Sequence, residues 1–126
     1  MTSLHHVQLA IPAGGEEEAR RFYCGVLGLI EQGKPEAMQA TGGVWFAEGL
    51  HLGVEHPFTP ARKAHPGFSV DDLDAVAERV AAAGGEVTWD ARWPGVRRFH
   101  TADPFGNRIE LLQGVTTGSA PAATPR

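Results

Sequence analysis

His6, His51, His65 and Glu110 are the residues of this sequence whose types and spacing could do chemistry together. His6 and His65 stand 59 positions apart, and so do His51 and Glu110. The neighbourhoods repeat as well: Leu50-His51-Leu52 lines up with Ile109-Glu110-Leu111, each with one polar residue between two aliphatic ones. Three imidazoles and a carboxylate form a donor set suited to a divalent metal. An internal repeat with a pseudo-twofold relation is a simple way to bring the four together.

The elements that must position them follow from the hydrophobic pattern. Leu4 to Ile11 alternates, so His6, Gln8 and Ala10 share one strand face and Val7, Leu9 and Ile11 the other. Pro12 to Gly15 breaks the strand, and Glu16, Glu17 and Glu18 put negative charge where a helix N-terminus favours it. Ala19, Phe22, Tyr23 and Val26 give that helix an apolar stripe, and Gly28 ends it. Strands are expected around residues 29–32, 44–47 and 50–55, with a polar, Gly-containing stretch at 34–43. The second half repeats the order. A strand at 65–70 precedes an Asp71-Asp72 cap, and a helix carries Leu73, Val76, Ala77, Val80 and Ala81 at helical spacing. Gly84-Gly85 stops it, and strands follow at 86–89, 98–101 and 108–113, the last two joined by the turn Asp103-Pro104-Phe105-Gly106-Asn107. Both halves therefore read βαβββ. Module one spans residues 4–56, module two 63–113, and the Pro-containing segment 55–62 links them within a single domain over 1–113. Residues 114–126 are rich in Gly, Ser, Thr, Ala and Pro and read as a disordered tail.

Strand alternation extends the inward row to His6, Gln8, His51, His65, Arg98, His100 and Glu110. Such a row is too polar for a hydrophobic core, because each unpartnered buried polar group costs about 1–3 kcal/mol. A metal, or a wet pocket with a ligand, resolves it. Plainer readings stand beside these. A lone strand histidine is more often a satisfied or half-exposed side chain than a ligand. His51 is either a ligand or a proton-transfer group, and His100 either supports the ligands from behind or acts as an acid–base group. Arg98 either binds an anionic substrate or pairs with a carboxylate. His5 and His56 read as surface residues, Trp45, Trp89 and Trp93 as core and pocket wall, and Cys24 as inert packing.

Composition narrows the functional class. A chain of 126 residues with 42% hydrophobic and 21% charged residues is that of one soluble globular domain. A net charge of -4 leaves no basic footprint for nucleic acid. Apolar runs are too short to span a bilayer, and no secretory signal opens the sequence. The single cysteine fits a reducing compartment, so the expectation is a cytoplasmic protein.

With these residues in this order the sequence resembles the vicinal oxygen chelate superfamily, which includes glyoxalase I-like lyases, fosfomycin-resistance enzymes, extradiol dioxygenases and bleomycin-binding proteins. The segments that carry the resemblance are His6-Val7-Gln8-Leu9, the run from Phe22 to Leu29, the run from His65 to Asp74, and above all the run from Asp103 to Leu111. The resemblance implies an α+β fold in which two βαβββ modules form a curled mixed sheet around a metal-binding cleft, usually in a homodimer. It makes His6, His65 and Glu110 the recurrent metal ligands, with His51 where glyoxalase-like enzymes carry a further ligand and extradiol enzymes an acid–base histidine. Glu110 would double as the catalytic base, and Gln8, Arg98 and His100 would face the substrate.

Within the superfamily, Gln8 and Asp90 stand where fosfomycin enzymes use Thr and Lys, which argues against that activity. His51 stands where glyoxalase I-like lyases usually carry a carboxylate, and His100 where extradiol dioxygenases usually carry Tyr. The expected function is a lyase or isomerase reaction on a small oxygen-rich substrate chelated to Ni, Zn, Co, Mn or Fe. The alternatives are an Fe(II) extradiol-type dioxygenase and a non-catalytic drug- or metabolite-binding protein.

Overall fold

The computed structural model describes residues 1–113, so the tail expected at 114–126 lies outside the described residues. Alternation in the sequence becomes strand β1 at Val7–Ile11, which sends Leu9 and Ile11 into the core and leaves Gln8 exposed. The acidic segment starts helix α1 at Glu16–Arg20, which continues as a π-helical stretch over Arg21–Val26 before Gly28. Short β2 (Glu31–Gln32) and a 3-10 turn at Glu36–Thr41 lead to β3 (Val44–Phe46) and β4 (Leu50–Val54). Module two runs β5 (Gly67–Val70), α2 (Leu73–Ala82), β6 (Thr88–Trp89), β7 (Arg97–Ala102) and β8 (Arg108–Gln113). Asp72 caps α2 as expected, its side chain accepting from the Ala75 amide at 3.1 Å.

Each module forms a four-stranded mixed sheet of the same order, β1-β4-β3-β2 and β5-β8-β7-β6. The central strand pairs in parallel with the first strand of its module and antiparallel with the third. The fold is α+β, as the twofold repeat implies.

One face of each sheet is covered. Leu50 and Leu52 turn away from His51 and pack with Ala19, Phe22 and Tyr23, while Ile109 and Leu111 turn away from Glu110 and pack with Leu73, Val76 and Val80. A single hydrophobic cluster joins both sets. Gly43 fixes the start of β3: its φ is +89°, and a Cβ there would lie 2.1 Å from the Leu52 carbonyl oxygen, so no other residue fits.

Polar ties cross between the modules and meet in the turn after β7. The Tyr23 hydroxyl donates to Asp103 Oδ2 at 2.7 Å. Asn107, wholly buried, donates through Nδ2 to the Ala10 carbonyl at 2.9 Å and accepts at Oδ1 from the Ala61 amide at 2.8 Å. Asp103 accepts in addition from the Phe105 and Asn107 amides, both at 2.9 Å. Asp103 and Asn107 are therefore accounted for by partners that a hydrophobic side chain could not satisfy. No helix among the described residues is long and apolar enough to cross a membrane.

Candidate metal centre

Strand register places the chemistry. His51 lies on β4 between Gln8 of β1 and Trp45 of β3; Glu110 lies on β8 between Gly67 of β5 and His100 of β7. Glu110 is 6% and His51 7% exposed, so each is a polar group buried at the middle of its sheet.

In module two, His65 Nδ1 sits 2.8 Å from the Lys63 carbonyl, an oxygen that only accepts, so Nδ1 carries the proton. The other nitrogen, Nε2, faces Glu110 Oε1 at 2.8 Å. Burial opposes ionisation of Glu110, but hydrogen bonds from Arg98 and His65 outweigh it and hold the group below the usual carboxylate value. A neutral His65 would therefore aim a lone pair at a carboxylate. The contact needs a shared cation, either a second proton on the ring or a metal ion. A backbone carbonyl that fixes Nδ1–H and frees Nε2 is the usual support of a metal-binding histidine. One atom each from His65, His100 and Glu110 lies within 4.8 Å of the others, and among the described residues this is the one such group that could hold an ion. The donor set fits a divalent metal.

His100 is held on both sides. Nε2 lies 3.2 Å from Asp90 Oδ2 and Nδ1 lies 3.4 Å from Arg108 Nη2. Nε2 donates and Nδ1 accepts, which leaves His100 no spare lone pair while these contacts persist. Arg98 bridges the two acids, with Nη1 3.0 Å from Glu110 Oε2 and Nη2 3.1 Å from Asp90 Oδ2. Its Nε is buried without a hydrogen-bond partner, and its guanidinium carbon lies 5.4 Å from the Trp93 ring centroid. Asp90 accepts from Arg92 through Nε at 2.9 Å and Nη2 at 2.6 Å, and this pair lowers its carboxyl far below the usual range.

Module one holds a different cluster. His51 is stacked between Trp45, 3.9 Å away and 6° from parallel, and His6, 4.1 Å away and 14° from parallel. Burial, followed by the nearby His6 and His5 rings, lowers His51 below the usual imidazole value, so it is neutral with a lone pair to offer. His6 is exposed and its Nδ1 lies 2.9 Å from that of His5. Gln8 is exposed too, and its amide lies where a Cβ on Gly53 would be, 2.7 Å from Nε2. Gln8 and His65 line one cavity of about 400 Å³ between the modules.

The expected inward row thus divides in two. His65, Arg98, His100 and Glu110 form one connected group; His6 and His51 stack in the other module and are not part of the group that could hold an ion. Of the tryptophans expected in core and pocket wall, Trp89 and Trp93 are exposed, because β6 and the segment after it lie at the sheet edge. Cys24 is half-buried, and burial with the Glu31 carboxylate nearby raises its thiol, in keeping with inert packing. Sequence reasoning overlooked Asp90 as a site residue and Trp45 as the partner of His51. The connection between β7 and β8 is longer than that between β3 and β4, so Trp45 and His100 occupy equivalent registers without sharing the constant spacing of the repeat.

A sequence profile of the glyoxalase/bleomycin resistance protein/dioxygenase superfamily matches residues 3–111. The structure is similar to that of a glyoxalase family protein from Bacillus anthracis, with 44% sequence identity, a TM-score of 0.84, and 90% of this chain and 95% of that one covered. A lactoylglutathione lyase from Agrobacterium tumefaciens is 25% identical at a TM-score of 0.63, over 90% of this chain and 96% of that one. A fosfomycin resistance protein from Listeria monocytogenes shares the fold at 18% identity and a TM-score of 0.69, over 93% and 97% of the two chains. No protein of curated function matches the sequence.

Proposed function

We propose, on the premise that this chain belongs to the glyoxalase/bleomycin resistance protein/dioxygenase superfamily, that it is a metal-dependent lyase or isomerase acting on a small oxygen-rich molecule. The observation that carries this reading is the His65–Glu110 contact, in which Nε2 and a carboxylate oxygen face each other at 2.8 Å while the Lys63 carbonyl holds Nδ1. His65 and Glu110 would hold the ion, with His6 and His51 as the donors from module one. His6 and His51 lie outside the group that contains that pair in one chain, and a cytoplasmic homodimer would be a means of supplying them from a second copy. A divalent ion there would act as a Lewis acid on two neighbouring substrate oxygens. Glu110 would take the substrate proton at a carboxylate oxygen, and His100, whose Nε2 proton is held by Asp90, would orient or protonate the oxygen it faces. Gln8 would present its amide from the edge of the cavity it shares with His65, while Arg98, already shared between two carboxylates, would contribute a fixed positive wall.

One observation favours a second reading. His65, His100 and Glu110 make a two-histidine, one-carboxylate set, the donor composition suited to Fe(II) oxygen chemistry. It requires His100 to leave Asp90. Elemental analysis of untagged protein, wild type beside Glu110→Gln, tests the proposal. Near-stoichiometric Ni, Zn, Co or Mn that is lost in the variant, with turnover independent of oxygen, supports the lyase or isomerase. Iron, with activity lost in air and restored by Fe(II), supports the dioxygenase. No metal after reconstitution overturns both and leaves a protein that sequesters a drug or metabolite.

A further inference from the structure

Arg98 presents a difficulty for any metal held by Glu110. Its Nη1 lies 3.0 Å from Glu110 Oε2, in a site where Glu110 is nearly buried and charges are poorly screened. A guanidinium so close would repel an arriving divalent ion and neutralise the carboxylate meant to bind it. The structure contains an answer on the far side of the same guanidinium. Asp90, 8% exposed, accepts from Arg98 Nη2 at 3.1 Å and faces the site with Oδ2, the oxygen that also meets His100. The other partner of Asp90, Arg92, has an exposed side chain, so water screens its charge.

We infer that Asp90 is a positioning residue for metal binding, holding Arg98 as a brace on Glu110 Oε2 so that Oε1 stays clear of the guanidinium and aimed at His65. Two consequences of one contact are involved. The carboxylate of Asp90 offsets the guanidinium charge, and its grip on Nη2 stops Arg98 from swinging across both oxygens of Glu110 in the bidentate manner this pair favours. Glu110 is left to bind an ion through one oxygen. The inference rests on the reading of Glu110 as a metal ligand.

The test is titration with Mn²⁺ alone, at fixed pH, of the full-length protein and four variants. Asp90→Asn, which keeps shape and loses charge, is expected to weaken Mn²⁺ binding about tenfold or more, in the 10–100-fold range seen when partners of ligands are removed. The double variant Asp90→Asn/Arg98→Gln should regain most of that loss, because the unopposed guanidinium has gone. A role of Asp90 limited to shaping the loop at Arg92 would give no such rescue. Should Asp90→Asn not fold, Arg98→Gln against Arg98→Lys decides: the neutral Gln should bind Mn²⁺ more tightly than Lys, which keeps a charge but cannot reach both acids. Affinity unchanged in Asp90→Asn, a double variant no better than the single one, or Lys binding more tightly than Gln would overturn the inference alone. A wild-type protein that binds no Mn²⁺ would overturn the reading of Glu110, and the inference with it.

Discussion

The two modules place His51 and Glu110 at the same point of the same four-stranded sheet, flanked by the first and third strands of their own module. Their surroundings are opposite. Around His51 the neighbours are rings: Trp45 on one side and His6 on the other, stacked close to parallel, with no carboxylate paired to it among the described residues. Around Glu110 the neighbours are ions, running from Glu110 through Arg98 and Asp90 to Arg92, with His65 and His100 attached. A repeat in backbone topology duplicates a location and leaves its chemistry to the adjacent strands. For the proposed metal it would be a useful division: one module would offer imidazole nitrogens, and the other the negative charge that favours a divalent ion.

The comparison breaks first at the metal. Glu110→Gln is expected to weaken Mn²⁺ binding by more than about a hundredfold, beyond the loss of an outer partner, whereas His51→Gln at the equivalent point should weaken it by about tenfold. Calorimetric titration of both variants checks this, and equal losses would erase the proposed division of labour. Stability should differ next. Asn107→Ala leaves the Ala10 carbonyl and the Ala61 amide without their buried partner, and should cost about 2–4 kcal/mol in urea unfolding. Its counterpart one repeat earlier, Glu48, is exposed and accepts from the Ile30 amide, so Glu48→Ala should cost less than about 1 kcal/mol.

A smaller effect lies in the tie between modules. Burial first, and then the adjacent Asp103, push the Tyr23 hydroxyl well above the ordinary phenol value. The native state holds that proton more tightly than the unfolded chain does. The contribution is therefore whole below about pH 10 and is lost as pH rises through the native value. Tyr23→Phe should lose about 1 kcal/mol at neutral pH and show a flatter decline in stability on the alkaline side, read from unfolding curves at a series of pH values. An unchanged alkaline slope would remove Tyr23 from the account.

Much of this was legible in the sequence because the repeat is written in residues that alternate. Leu50-His51-Leu52 and Ile109-Glu110-Leu111 each state which way the middle residue faces, and both turned out as that pattern requires. The Asp72 cap and the Gly28 stop were equally local. His6 was harder: it precedes β1, so strand alternation did not govern it, and it lies exposed beside His51. Asp90 left no signal in the alternation or the repeat, only its place where fosfomycin enzymes carry Lys. It follows the two-residue strand β6 in a polar stretch, and its burial comes from Arg92, Arg98 and His100 closing over it, contacts that no spacing encodes. The turn from Asp103 to Asn107 was recognisable as a turn, while its function as the fastening between modules depends on Ala10, Ala61 and Tyr23, all distant in the chain.

One feature of the second sheet bears on how the protein is made. β8 is paired with both β5 and β7, yet it follows both along the chain. A chain emerging during synthesis has displayed His65 and His100 before Glu110 exists, and β5 and β7 have no strand between them to hold those histidines in place. A chain interrupted ahead of residue 110 carries the imidazoles without the carboxylate and without the strand that would aim them at one point. Metal capture at the proposed site would thereby be reserved for chains that have been translated through β8 and folded, and since an ion bound only by the native state stabilises that state, loading would serve as a final inspection of the finished molecule.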